Sequence, residues 1–166
     1  MKYLKYLSKE SGFMLLILAL SAGALSIGFV LQYVGFGGVK YRPCPLCILQ
    51  RLLLLACLLI SLLALMLPVW QRAWSLIIGA AAITGAGLAS WQLWLQGKPS
   101  VSCGVDPIER LIEQYFLTDY TGWFFRVEAM CAEKQPLFVG LEIPQWSIAV
   151  NLAVTMLCFG LWYRTK

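Results

Sequence analysis

The chain contains no histidine, and only 13% of its 166 residues are charged. Without an imidazole there is no bis-histidine haem, no His-containing zinc or copper site, and no Ser-His or Cys-His catalytic pair. An average soluble domain is about 25% charged and roughly 45–50% apolar, whereas this chain is 60% apolar. So few charges leave too little polar surface to face water on all sides. The composition therefore predicts a membrane protein. A dinucleotide-binding glycine fingerprint is also missing, as are internal repeats and low-complexity segments. The length favours a single membrane domain covering residues 1–166.

What is present is four long uncharged runs. A spanning helix needs about 20 mostly apolar residues at about 1.5 Å rise each. Residues 13–34, 52–70, 73–95 and 143–163 meet that requirement, with loops at 35–43 and 96–142. Each run is apolar on every face, as in a helix that faces lipid or a bundle interior. The first run follows Lys2, Lys5 and Lys9 and contains small residues at 22–26, so it needs comparison with a cleavable signal peptide. Its apolar stretch exceeds the about 7–15 residues of a signal core and continues past the small residues, which predicts an uncleaved span. The fold class expected is all-α, an integral membrane four-helix bundle.

Charge sets the orientation. An even number of spans puts both termini on one side. That side carries Lys2, Lys5, Lys9, Arg72, Arg164 and Lys166 against Glu10 alone, and thus all of the net charge of +5. The opposite side holds seven basic and seven acidic residues. Dense Lys and Arg in short segments mark the cytoplasmic face, so the termini are expected in the cytoplasm and both loops on the outer side of the membrane. Lys40, Arg42 and Arg51 near the first loop oppose this orientation without reversing it. A net charge accounted for by membrane orientation leaves no basic patch for nucleic acid. In the long second loop, residues 107–117 are expected to form a short amphipathic helix, lying on the membrane surface or on the outer end of the bundle.

The six cysteines divide according to this topology. Cys44, Cys47, Cys103 and Cys131 fall on the outer side or its membrane edge, and Cys57 and Cys158 fall within the second and fourth spans. Disulfides persist outside the cytosol, so the outer four can form two pairs. Buried free cysteine behaves as a small hydrophobe, and Cys57 and Cys158 are expected to be inert. Cys44-Pro45-Leu46-Cys47 is a C-x-x-C motif preceded by Pro43, and proline suits a first helical turn. The motif is thus expected at the N-terminal end of the second span, where unpaired N–H groups and the helix dipole favour a thiolate. Arg51 follows Cys47 by four residues on the same helix face. It would supply a permanent cation beside the sulfur, or else it snorkels to the interface.

Other readings of these cysteines remain open at this point. The four outer thiols can be assembled into an all-thiolate zinc site, although the second pair lacks the close spacing of a zinc knuckle. Cys103 and Cys131 enclose 27 residues and serve equally as a structural staple or as a second redox dithiol. In the redox reading the two pairs exchange a disulfide by thiolate attack. Exchange alone only moves the bond, so net oxidation needs an external electron acceptor. No histidine follows the C-x-x-C motif, which excludes covalent haem attachment. A lipid-soluble quinone at the depth of Cys47 and Arg51 is left by elimination.

Taken together, Pro43-Cys44-Pro45-Leu46-Cys47 with Arg51, Cys103-Gly104, Cys131-Ala132-Glu133 and the 140–146 stretch Gly-Leu-Glu-Ile-Pro-Gln-Trp resemble the DsbB family. These are bacterial inner-membrane proteins that generate disulfides at the expense of quinone, and the resemblance runs over essentially the whole chain. It implies a thiol:quinone oxidoreductase that reoxidises a DsbA-like thioredoxin-fold partner. Cys103 would take the partner's thiolate while Cys131 leaves; Cys131 would then attack Cys44 and free Cys47 to face a ubiquinone or menaquinone. By the same resemblance Arg51 stands beside the quinone, with Gln96 and Gln92 as polar companions. Three alternatives remain: a disulfide generator of the same chemistry dedicated to one substrate, a vitamin-K-epoxide-reductase-like protein, in which the quinone-facing C-x-x-C belongs to a late span, and a non-enzymatic four-helix subunit with a stapled loop. Gly79, Gly85 and Gly87 are expected to permit close helix approach, and Asn151 to face the bundle.

Overall fold

A computed structural model describes residues 2–96, 129, 134 and 136–164. Four long helices dominate it: α1 (Lys2–Tyr33), α2 (Pro45–Met66), α3 (Gln71–Gln96) and α4 (Ile143–Arg164). All four are long and apolar enough to cross a membrane, α1 through its Ser11–Tyr33 portion. The protein is an all-α, four-helix membrane bundle. Cys103, Cys131 and the segment 107–117 lie outside the described residues.

Local chemistry sets the helix ends. Cys44 is the N-cap of α2 in an extended conformation, and its sulfur accepts the Cys47 N–H at 3.3 Å. Pro45, not Pro43, takes the first helical position, where the missing N–H costs nothing. The helix therefore begins seven residues before the expected 52–70 span. A membrane-spanning estimate counts uncharged residues, while a helix starts wherever its cap lies, and Arg51 is carried inside the second turn. At the other end Pro68 breaks the run, so α2 stops at Met66 and 68–70 form a 3-10 turn. Gln71 then donates to the Ala64 carbonyl at 3.2 Å, satisfying one of the orphan acceptors of the last turn of α2. At α4 the Gln145 side chain accepts the Glu142 backbone N–H at 3.0 Å, one half of a capping box.

Packing follows a ring, α1 on α2, α2 on α3, α3 on α4 and α4 back on α1. The deep core gathers Met14, Ile17, Cys57, Ala64, Ile78, Ala82, Val154, Cys158 and Leu161, which places the two intramembrane cysteines among apolar neighbours as expected. Leu15, Leu16, Val30, Leu59, Met156 and Phe159 point outward, as lipid-facing residues do. Two of the three glycines of α3 meet a neighbour. A Cβ on Gly79 would contact Cys158 at 3.5 Å, and one on Gly85 would lie 2.6 Å from the Asn151 oxygen, whereas Gly87 has no atom of another element within 4 Å. The expectation of close approach thus holds for Gly79 and Gly85 and fails for Gly87, which sits on an open face. Asn151 is buried and donates to the Ser147 carbonyl at 2.8 Å.

The two loops meet at the same end of the bundle. Phe36 pairs with Val39 and Phe138 with Leu141, each pair closing a two-residue turn. Gly37 and Gly38 in one turn, and Val139 and Gly140 in the other, have positive φ, as tight hairpin turns of this kind require. Phe36 and Phe138 then pack edge to face at 5.2 Å, and the Tyr41 hydroxyl donates to the Leu137 carbonyl at 3.1 Å.

Candidate active site

Beneath these hairpins a cavity of about 310 Å³ opens between α1, α2, α3 and the start of α4. Its upper wall is Tyr41, Arg42, Phe138, Val139 and Trp146, and its deeper wall carries Cys47, Gln50, Arg51 and Gln92 among apolar residues such as Ile27, Leu31 and Leu54. Helical spacing explains the α2 contribution. Positions 47, 50, 51 and 54 fall on one face, so the residues that bring sulfur, amide and guanidinium into the cavity belong to one stripe. Trp146 holds the roof by donating its indole N–H to the Phe138 carbonyl at 2.9 Å.

The two sulfurs of the motif lie 2.8 Å apart, within reach of closing to a disulfide by a small side-chain adjustment. They face different surroundings. Cys47 lines the cavity, whereas Cys44 is buried with Leu46 and Leu95 behind it. The carbonyl of Pro43, next to Cys44, accepts the Ala129 N–H at 3.3 Å. The second loop is thereby tied to the α2 N-terminus at a residue two positions from Cys131.

Cys47 has a polar partner on α3. The Gln92 amide nitrogen donates to its sulfur at 3.3 Å, and the Gln92 oxygen accepts from Gln50 Nε2 at 3.0 Å and from the Cys47 thiol at 3.7 Å. All of these groups are at least largely buried, where an unpaired amide is costly. Arg51 points toward α1 instead. Its guanidinium donates to Gln32 Oε1 at 2.6 Å and to the Gly28 carbonyl at 3.2 Å, and it stacks over Phe29 at 5.1 Å. These contacts hold the cation in place at the cavity wall, which a snorkelling side chain would not need.

Of the candidates read from the sequence, the structure brings Cys44, Cys47, Arg51 and Gln92 together. Gln96, one turn further along α3, is not on the cavity wall. It is buried with both amide atoms unpartnered among the described residues. Gln32 and Gln50 escaped the sequence reading. Gln50 carried a usable signal, because it shares a helix face with Cys47. Gln32 carried none, since only the packing of α1 on α2 brings it to Arg51. Among the described residues no group of three or more metal-ligating side chains clusters.

Known proteins resemble this chain over most of its length. The family profile "Disulfide bond formation protein DsbB" matches residues 10–161. A disulfide bond formation protein B of Neisseria meningitidis serogroup B is 36% identical over 158 residues, 91% of this chain and 94% of that protein. Its namesake in Cupriavidus metallidurans is 30% identical over 155 residues, covering 93% and 94%. That of Herminiimonas arsenicoxydans is 29% identical over 143 residues, covering 86% and 88%.

Proposed function

The chain belongs to the DsbB family of disulfide bond formation proteins, and from that premise we propose that it is a membrane thiol:quinone oxidoreductase serving a DsbA-like thioredoxin-fold partner. It is a multi-pass membrane protein of disulfide bond formation; the electron acceptor, the partner and the orientation are the proposal. The observation that carries it is the position of Cys47. A redox-capable sulfur faces an apolar cavity inside a membrane bundle, with a fixed cation and an amide donor on the same wall.

The cavity fits a quinone head group in chemistry. Its lining is mostly apolar, which suits a lipid-soluble ring, and Arg51 and Gln92 offer N–H donors of the kind that hold carbonyl oxygens. Ubiquinone and menaquinone both satisfy that description. A bound quinone would supply the two-electron, two-proton sink. Cys47 would face it, Arg51 would stabilise negative charge on the acceptor side, and Gln92 would stabilise the sulfur anion.

On the dithiol side, the partner's thiolate attacks Cys103 and Cys131 leaves. Cys131 attacks Cys44 in the Cys44–Cys47 disulfide and releases Cys47 as a thiolate. Cys103 then recovers its bond to Cys131 from the Cys131–Cys44 mixed disulfide once the partner's second thiol has displaced it. The partner leaves with a new disulfide, and Cys44 and Cys47 hold the electron pair. Reclosure of Cys44–Cys47 delivers two electrons and two protons to the quinone, so the cycle balances. The tie between Ala129 and Pro43 supports the transfer from Cys131 to Cys44, because it holds Ala129, two positions before Cys131 in the sequence, at the motif. The proposed setting is a bacterial inner membrane with both termini cytoplasmic and both loops periplasmic.

The test is quinone reduction by a reduced thioredoxin-fold dithiol, with and without the chain in detergent. Turnover that depends on the chain and disappears in Cys47→Ser is expected. Full turnover in Cys47→Ser would refute the proposal, and so would quinone that stays oxidised with the wild-type chain.

A further inference from the structure

We propose that Gln50 is a positioning residue for the Cys47 sulfur, acting through Gln92 by fixing which end of the Gln92 amide faces it. The inference rests on the reading of Cys47 as the reacting sulfur and does not depend on the identity of the electron acceptor.

A primary amide has a donor end and an acceptor end of nearly the same shape. Only the donor end stabilises a sulfur anion. Gln92 meets the Cys47 sulfur with its nitrogen at 3.3 Å and its oxygen at 3.7 Å, and that oxygen also receives the Gln50 N–H at 3.0 Å. A thiolate has no proton to donate to the oxygen, so with Cys47 ionised the chain of donors runs in one direction, from Gln50 through Gln92 to the sulfur. If Gln92 alone were reversed, its NH2 group would face the NH2 group of Gln50, and its oxygen would take the nearer place at the sulfur. That arrangement leaves the buried Gln50 donor without an acceptor and places a negative end against a developing anion. In a site this buried such a mismatch is costly.

The arrangement crosses two helices. Gln50 lies one turn beyond Cys47 on α2, and its partner lies on α3, so the amide pair also joins the helices at the depth of the sulfur. A cross-helix amide pair could be a packing device only. The distinction lies in whether the effect of Gln50 passes through Gln92.

The experiment is a double-mutant cycle on the full chain in detergent, comparing wild type, Gln50→Leu, Gln92→Leu and the double variant. Two signals are read at one neutral pH. The first is the ultraviolet thiolate absorbance of the reduced protein that is lost in Cys47→Ser. The second is dithiol-driven quinone turnover. Gln50→Leu is expected to lower both by about fivefold, the scale of one hydrogen bond to a charged group. Gln92→Leu should lower them at least as much, and the double variant no further than Gln92→Leu alone, because both changes remove the same donor.

Wild-type signals in Gln50→Leu would overturn the inference. Losses that multiply in the double variant would do so too, since they would show independent roles. Gln50→Met carries the same test if the leucine variant does not fold. Full turnover in Cys47→Ser would instead overturn the underlying reading of the reacting sulfur, so the two failures are separable.

Discussion

Arg51 of α2 is held by α1: its guanidinium donates to Gln32 at 2.6 Å, one helix turn above the Gly28 carbonyl that it also reaches at 3.2 Å. Two acceptors on a neighbouring helix, plus the face of Phe29, fix a charge that would otherwise be free to swing toward water. The consequence is a cation preorganised at the wall of the cavity, where it would need no reorganisation to stabilise the negative charge that the proposed reaction develops.

Replacing Arg51 with alanine should therefore weaken quinone use before it damages thiol exchange. The apparent KM for quinone is expected to rise by about tenfold, while formation of the partner mixed disulfide keeps its rate. Gln32→Leu should produce the same KM effect in milder form, because it loosens the guanidinium without removing it. Arg51→Lys should not restore wild-type behaviour, since an ammonium cannot span both acceptors as the planar guanidinium does. Steady-state kinetics with varied quinone check all three, and an unchanged KM in Arg51→Ala would remove the residue from the acceptor site.

Cys131→Ser should trap the partner. With no Cys131 to pair with, the Cys103 thiolate attacks the oxidised partner's disulfide, releases the partner's second thiol and stays bonded to the first under oxidising conditions. A covalent complex seen on non-reducing gels, lost on reduction and absent in Cys103→Ser, is the expected result.

Gly85→Ala should destabilise the bundle, because the added methyl would stand 2.6 Å from the Asn151 oxygen. Overpacking of this kind costs about 1–3 kcal/mol. Gly87→Ala is the internal control. Nothing lies within 4 Å of its added Cβ, so the helix should gain or hold stability. Thermal unfolding of the two variants in the same detergent should separate them in opposite directions.

Val139→Gly should stabilise the second hairpin. Valine stands there at φ 50°, a region that β-branched residues rarely enter. The backbone cost is on the order of 1–3 kcal/mol, and glycine removes it at the expense of some unfolded-state entropy. A raised midpoint in thermal unfolding is expected. A lowered one would show that the valine side chain contributes more through its place on the cavity wall than its backbone loses.

The sequence by itself determined the number of spans, the helical class and the placing of Cys57 and Cys158 within spans. Each of these follows from local quantities: the length of an uncharged run and the absence of polar surface. It also placed the C-x-x-C motif at a helix start, since caps and prolines act within one turn. The uncharged run 52–70 is offset from α2 itself, because charge-free length and hydrogen-bonded length are different measures, and Cys44 and Pro68 set the second. What only the tertiary structure decided is which residues share the cavity. Gln92 and Gln96 are both polar positions near the end of α3, and nothing local distinguishes them. Four residues apart, the two share a helix face, and the depth of α3 against α2 sets Gln92 at the Cys47 sulfur and leaves Gln96 off the cavity wall. Gln32 comes to Arg51 across 19 residues of chain. Contacts between helices depend on their relative rotation and depth, and those are set by packing over the whole bundle rather than by any one segment.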